Sequence, residues 1–256
     1  VPPPKEFRLT CMAASSFESV TKLLGLVNLR GIYPTAFEFF THACLDLVLR
    51  HSKQRKNPFA DKAPIYVLLE FEKQPDGAND PLEPFLEEAF EAGLISDAVI
   101  ASNSAEFQNL WGLRENISES VAQEGHVRKN DISLPISTLP AFIAEMEGVL
   151  TKVQGIQMFL FGHIGDGNLH LNYSGNPQMN YDDFRSRTRE TEKDVFLLVQ
   201  KYRGSISAEH GIGLLKKADL HFCCPPEAIE LMRKIRKVFD PKLILNPGKI
   251  FDEAAK

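Results

Sequence analysis

The stretch IQMFLFGH (156–163), IGDG (164–167), NLHLNYS (168–174) decides the fold. Two strand-like runs joined by a short glycine-bearing link form a hairpin, because parallel strands need a crossover of a dozen or more residues. At least part of the sheet is therefore antiparallel. In the second run Leu169, Leu171 and Tyr173 face one side, and Asn168, His170 and Asn172 face the other. A register that sets His163 directly opposite His170 puts their Cβ atoms roughly 5 Å apart. Two imidazoles so placed can converge on one ion through bonds of about 2.0–2.1 Å. A tight turn carrying two surface histidines reads the same residues without a metal.

Working outward, strand patterns alternate with helical ones. FRLTCMA (7–13) reads as a strand. A helix follows from about Ser16 to Leu29, capped by Ser15 or Ser16, with Glu18 completing a capping box. YPTAFEFF (33–40) is extended, a helix runs on to His51, and 51–64 is a polar loop. IYVLLEFE (65–72) is the clearest strand, KQPDGANDP (73–81) a turn region, 82–94 an amphipathic helix and AVIAS (98–102) a short strand. One helix is expected over 104–123, then the extended HVRKNDISLP, a helix after ISTLP, the hairpin, a long helix over about 181–202, and a last helix PEAIELMRKIRKVF (226–239). The fold class is α+β: an antiparallel sheet with flanking helices, built from ferredoxin-like βαβ units.

The totals narrow the function. A chain of 256 residues with 43% hydrophobic content can bury a substantial core, and a net charge of −5 argues against a nucleic-acid-binding surface. No apolar run approaches the roughly 20 residues of a membrane span. The opening VPPPKEF has no initiator methionine and reads as a Pro-rich linker (1–6), so 7–256 is expected to be one domain of a longer protein. The cysteines, Cys11, Cys44 and the adjacent Cys223 and Cys224, have neither CxxC nor zinc-knuckle spacing and read as buried or incidental thiols in a reducing compartment.

SISAEHGIG (205–213) adds an oxygen ligand, Glu209, and His₂Glu is a three-ligand set that leaves a position open. In a strand Glu209 and His210 point to opposite faces. Both serve one site only if the chain leaves the strand there, which Gly211 and Gly213 allow. An exposed polar bend is the alternative. Arg114 falls inside an apolar stripe (Phe107, Leu110, Trp111, Ile117, Val121), with Ser118 one turn on. A guanidinium facing a core calls for a carboxylate, from a distant part of the protein or from a substrate. The stretch 127–131 is polar on both faces, Lys129 and Asp131 on one and Arg128 and Asn130 on the other, as in a solvated edge or a polar pocket.

LWGLRENISES, KNDISLP, FGHIGDGNLHLN, SISAEHGIG and DPKLILNPGKIF together resemble the C-terminal half of the FAD-linked D-2-hydroxyacid dehydrogenases, in the vanillyl-alcohol-oxidase superfamily, and most closely the D-2-hydroxyglutarate dehydrogenases among them. The resemblance covers nearly the whole chain and is strongest over 107–250. It implies a substrate or cap domain, an FAD-binding domain upstream that holds the flavin, and a fragment inactive alone. It implies that His163, His170 and Glu209 hold a divalent metal, zinc, and that His210 is the base that takes the hydroxyl proton. Arg114, Ser118 and Lys129 then grip a substrate carboxylate, Asn172 contacts the hydroxycarboxylate end, and Asn246 belongs to the terminal segment that returns to the flavin. Serine at 118 stands where the hydroxyglutarate enzymes are expected to carry threonine. A protein or quinone electron acceptor, a homodimer and mitochondrial residence are further implications.

Two rival readings remain from sequence: a zinc hydrolase, although HExxH is absent, and an actin-interacting type of binding module without chemistry of its own. GHIGDG lacks the GxGxxG order and leads into a strand, so it is not read as a dinucleotide turn.

Overall fold

The computed structural model describes residues 6–73, 80–150 and 153–252. All of the expected linker except Glu6, and most of the turn region at 73–81, lie outside the described residues. Seven strands are described: β1 (Phe7–Ala14), β2 (Pro34–Thr41), β3 (Ile65–Glu72), β4 (Ile95–Ile100), β5 (Val127–Ser133), β6 (Ile156–His163) and β7 (Asn168–Gly175). They form one sheet in the order β4-β1-β3-β2-β6-β7-β5, and every neighbouring pair is antiparallel. The described helices are α1 (Phe17–Leu29), α2 (His42–His51), α3 (Leu82–Glu91), α4 (Ser104–Glu115), α5 (Ile117–Ala122), α6 (Leu139–Leu150), α7 (Tyr181–Lys201) and α8 (Pro226–Phe239).

Two split βαβ units account for the order. In the first, β3 lies between β1 and β2 and β1 between β3 and β4, so each crossover joins parallel strands that do not touch. The second repeats this plan, with β7 between β5 and β6. Its fourth strand is reduced to a single bridge, Ser133 to Ser205, on the outer side of β5. The units meet along β2 and β6. Alternation sends one set of strand side chains (Met12, Val67, Leu160, Leu171) under α1, α3, α6 and α7. The other set (Leu9, Tyr66, Leu68, Phe161) packs under α2, α4 and α5. On that second face the apolar cover stops short of β7 and the inner part of β5, and polar side chains take its place.

Three local expectations are corrected. The helix foreseen over 104–123 is two, because Asn116, a residue whose side chain competes with helical bonding, sits at the junction between α4 and α5. Ser16 caps α1 by accepting from the Ser19 N–H, so Glu18 falls outside the capping-box position and pairs with Lys22 instead, at 2.8 Å. The strand expected at 98–102 lies at Ile95–Ile100, because Asn103 caps α4 and ends the extended run.

Candidate active site

The β2–β6 seam carries a carboxylate that sequence reading overlooked. Glu38 lies opposite His163, flanked by Phe37, Phe39 and Phe40, and is buried. Its Oε1 accepts from His163 Nδ1 at 2.7 Å, which requires that nitrogen to carry the proton. Its Oε2 accepts from Arg114 Nε at 3.1 Å and lies 2.9 Å from Nη2. Arg114, also buried, holds its guanidinium 4.7 Å above the Phe161 ring. The carboxylate demanded by Arg114 is thus supplied by the protein itself. The sequence signal was a lone acid in the aromatic run AFEFF.

The two histidines are not directly opposite. His163 pairs with Asn168 and His170 with Phe161, so the rings are diagonal neighbours on one face. The reason lies in the link. Ile164–Asp166 makes one 3₁₀ turn and Gly167, at φ +73°, closes it, so pairing begins at 163 and 168. The diagonal still brings the ring centroids to 5.3 Å. A side chain at Gly167 would strike the Leu134 carbonyl, and one at Gly162 the Asn168 carbonyl.

Glu209 and His210 reach this face because the chain has left the sheet after the Ser205 bridge. Asp131 Oδ2 accepts the backbone N–H groups of both, at 2.9 and 3.0 Å. Asn168 Nδ2 donates to Glu209 Oε1 at 2.6 Å. One ligand atom from each of His163, His170 and Glu209 lies within 4.8 Å of the others, and so do those of Asp131, His170 and His210. A tetrahedral ion with bonds of about 2.0–2.1 Å holds its ligands roughly 3.4 Å apart. His163 Nε2 and Glu209 Oε1 stand at 3.8 Å, so a small side-chain rotation closes that pair. In the second set one Asp131 oxygen is already taken up by two backbone donors. The other, Oδ1, is buried without a hydrogen bond, 3.6 Å from His170 Nδ1, placed to orient that ring.

Electrostatics differ between the two imidazoles. Burial, then the Arg114 charge, push His170 down to about 4, leaving a neutral imidazole near pH 7, the form that ligates. The hydrogen bond to Glu38 raises His163 above the ordinary histidine range despite burial. Burial alone pushes Asp131 upward, but the N–H groups of Glu209 and His210 and the nearby histidines outweigh it and leave the carboxyl below its usual range.

His210 stacks on His170 at 6.1 Å between centroids and is largely exposed, with Nδ1 3.8 Å from Asp131 Oδ2. Lys129 pairs across the sheet with Asn172, on the same face as His170, and its Nζ donates to the Ser118 carbonyl at 3.4 Å. The break at Asn116 leaves Ser118 exposed, its carbonyl tied to Lys129, while Arg114 stays buried. Asn172 is buried. Asn246 is exposed at φ +45°, and no hydrogen bond ties its side chain to the histidine group among the described residues. Strand β5 satisfies both readings of its polarity. It is the sheet edge, and it lines an open cavity of about 430 Å³ in which Arg128 pairs with Glu192 through two hydrogen bonds of 2.9 and 2.6 Å.

Residues 3–250 match the family described as FAD linked oxidases, C-terminal domain. The chain belongs to this family. It is 41% identical over 218 residues to a D-2-hydroxyglutarate dehydrogenase of Stutzerimonas stutzeri, covering 85% of this chain and 47% of the relative. A Xanthomonas citri protein of the same name is 39% identical over 252 residues, covering 98% and 52%. The mitochondrial D-2-hydroxyglutarate dehydrogenase of Arabidopsis thaliana is 38% identical over 246 residues, covering 94% and 42%. The chain thus spans about half the length of these relatives. Among solved structures, substrate-bound p-cresol methylhydroxylase superposes with a TM-score of 0.66 at 11% identity, over 98% of this chain and 54% of that one, a likeness of fold.

Proposed function

We propose that this FAD-linked oxidase C-terminal domain is the substrate-facing part of a flavin-dependent dehydrogenase that oxidises a D-2-hydroxy acid, preferentially D-2-hydroxyglutarate, to the 2-oxo acid. One observation carries the reading: Glu209, some 40 residues on in sequence, converges with the hairpin's His163 and His170, and His210 with His170, in a chain whose relatives bear that enzyme's name. The donor set fits a divalent ion such as zinc, with two imidazoles, one carboxylate and an open position. When bound, that ion supplies a Lewis acid for the hydroxyl and carboxylate oxygens, and the flavin, held by the part of the protein beyond this chain, supplies the hydride acceptor.

The chain's own residues do the rest. His210 is the proton acceptor for the substrate hydroxyl, held in place by Asp131 through its backbone N–H. Asn172 faces the α-hydroxycarboxylate. Arg114 and Lys129, with Ser118 between them, form the cationic end that favours a second carboxylate, so a five-carbon dicarboxylate is preferred over lactate. Arg114 spends Nε and Nη2 on Glu38, so its part in that end is chiefly the positive charge it adds beside Lys129.

Helix α8 supports the presence of a further domain. None of its residues is buried, and Leu231, Ile235, Val238 and Phe239 form an exposed apolar ridge that a partner surface covers in the complete protein. Among the described residues no helix is long and apolar enough to cross a membrane. Mitochondrial residence rests on the plant and fish relatives that carry the word in their names, and the bacterial relatives match as closely. The test is turnover of D-2-hydroxyglutarate and D-lactate by the full-length flavoprotein, before and after chelation and with zinc restored. The reading predicts loss and recovery of activity and a clear preference for the dicarboxylate. Metal-independent turnover, or equal use of both acids, contradicts it.

A further inference from the structure

Adjacent residues in an extended chain send their side chains to opposite sides. Cys223 and Cys224 do not. They follow the short 3₁₀ helix Lys217–Phe222 with Cys223 at φ −121°, ψ −11°, and both backbone N–H groups bond to the Leu220 carbonyl, at 3.2 and 3.0 Å. This tight turn brings the two sulfurs to the same side, 3.9 Å apart. Pro225 and Pro226 follow at once and start α8, which stiffens the turn from the other end. Both cysteines are half-exposed, whereas Cys11 and Cys44 are fully buried.

The spacing has a chemical meaning. A disulfide requires sulfurs about 2.0 Å apart, well inside the present separation. A single atom bound to both sulfurs through bonds of about 2.3 Å at a pyramidal or tetrahedral angle holds them roughly 3.5–3.8 Å apart. The sulfurs are in van der Waals contact, so an atom that bridges them needs a shift of only a few tenths of an ångström, whereas a direct bond needs a far larger one. The valence of that atom is constrained as well. Among the described residues no histidine, aspartate or glutamate joins the two sulfurs as a third ligand, and the ligand groups that do assemble lie around His170. Zinc seeks four donors and a two-coordinate soft ion holds its thiolates in line, further apart than these sulfurs, whereas a monosubstituted trivalent arsenical takes two thiols at a pyramidal angle.

We propose that Cys223 and Cys224 form a vicinal dithiol site that captures monosubstituted trivalent arsenicals, separately from the histidine site. With the arsenical in its hydrated dihydroxy form, two S–H and two As–O bonds break, two As–S and two O–H bonds form and two waters leave, and the arsenic keeps its oxidation state. Burial and the neighbouring Cys223 sulfur hold the Cys224 thiol above the ordinary range, so Cys224 reacts as the neutral thiol. The second As–S bond closes within one molecule, so its effective concentration exceeds that of millimolar monothiol competitors. Cys11 and Cys44 are fully buried and closed to the reagent, which keeps both out of the reaction in the folded chain.

The experiment treats the protein with phenylarsine oxide in excess glutathione, then reads intact mass and a peptide map. One adduct on the peptide containing 223 and 224 is expected, resistant to glutathione and released by a dithiol. Cys223→Ser and Cys224→Ser should each raise the half-saturating concentration about 100-fold, while His163→Ala leaves it unchanged. An adduct that glutathione strips from the wild type, that maps to Cys11 or Cys44, or that forms in Cys224→Ser at the wild-type half-saturating concentration overturns the proposal. The wild-type map and glutathione challenge decide the matter even if a serine variant fails to fold.

Discussion

Replacing Glu38 with alanine probes the joint on which the site is built. The carboxylate and the Arg114 guanidinium are each 9% exposed at the side chain, so solvent screens little of their interaction. Removing the acid strands a buried guanidinium whose remaining support is the Phe161 ring 4.7 Å away. Breaking a buried pair from one side costs about 3–5 kcal/mol. For a domain of this size each kcal/mol lowers Tm by roughly 2–4 °C, so Glu38→Ala should melt some 6–20 °C below the wild type. Glu38→Gln keeps an acceptor for Arg114 and should lose about 1.5–3 kcal/mol. The double change Glu38→Met with Arg114→Met removes both charges and should recover much of the loss, as buried pairs replaced by apolar residues commonly do. Denaturant unfolding of the metal-free chain, read as a double-mutant cycle, measures the coupling. A loss under about 1 kcal/mol for Glu38→Ala, or no recovery in the double variant, refutes the picture of one buried carboxylate serving both partners.

Other perturbations test neighbouring links. Gly167→Ala should destabilise the chain by about 2 kcal/mol or more, because φ is +73° and the new methyl meets the Leu134 carbonyl; equal Tm values for variant and wild type contradict the hairpin geometry. Asp131→Asn removes the charge that accepts the Glu209 and His210 amides. It should speed hydrogen exchange at those two amides and weaken zinc binding about 10–100-fold, and unchanged exchange would show that the loop is held otherwise. Changing Leu231, Ile235 and Phe239 together to glutamine should leave stability within about 1 kcal/mol while raising solubility, since all three are exposed. Loss of the fold in that variant would mean the ridge is packed within this chain.

The hairpin was legible because its two signals, strand patterning and a glycine-bearing link, are both local. So were the long helices and the face assignment of Asn168, His170 and Asn172. Register was not, since a shift of two residues keeps every side chain on its face and only the turn's geometry separates the alternatives. The helix break at Asn116 depends on one residue that a periodicity scan reads through. Glu38 escaped because its partners, Arg114 and His163, lie 76 and 125 residues away, and nothing near it announces them. The sequence does mark Glu209 and His210 as a pair. What lets them share a site, Asp131 holding both amides after the fourth strand of the second unit has dwindled to one bridge, is a long-range fact. The cysteine pair shows the same limit, because its spacing in sequence says nothing about the turn that aligns the sulfurs.

The most direct test of the central claim is calorimetric titration of the metal-free chain with zinc, repeated on His163→Ala, His170→Ala and Glu209→Ala. The account predicts one ion per chain, with affinity lost or sharply reduced in all three variants. Zinc that does not bind, or that binds these variants as well as the wild type, contradicts it.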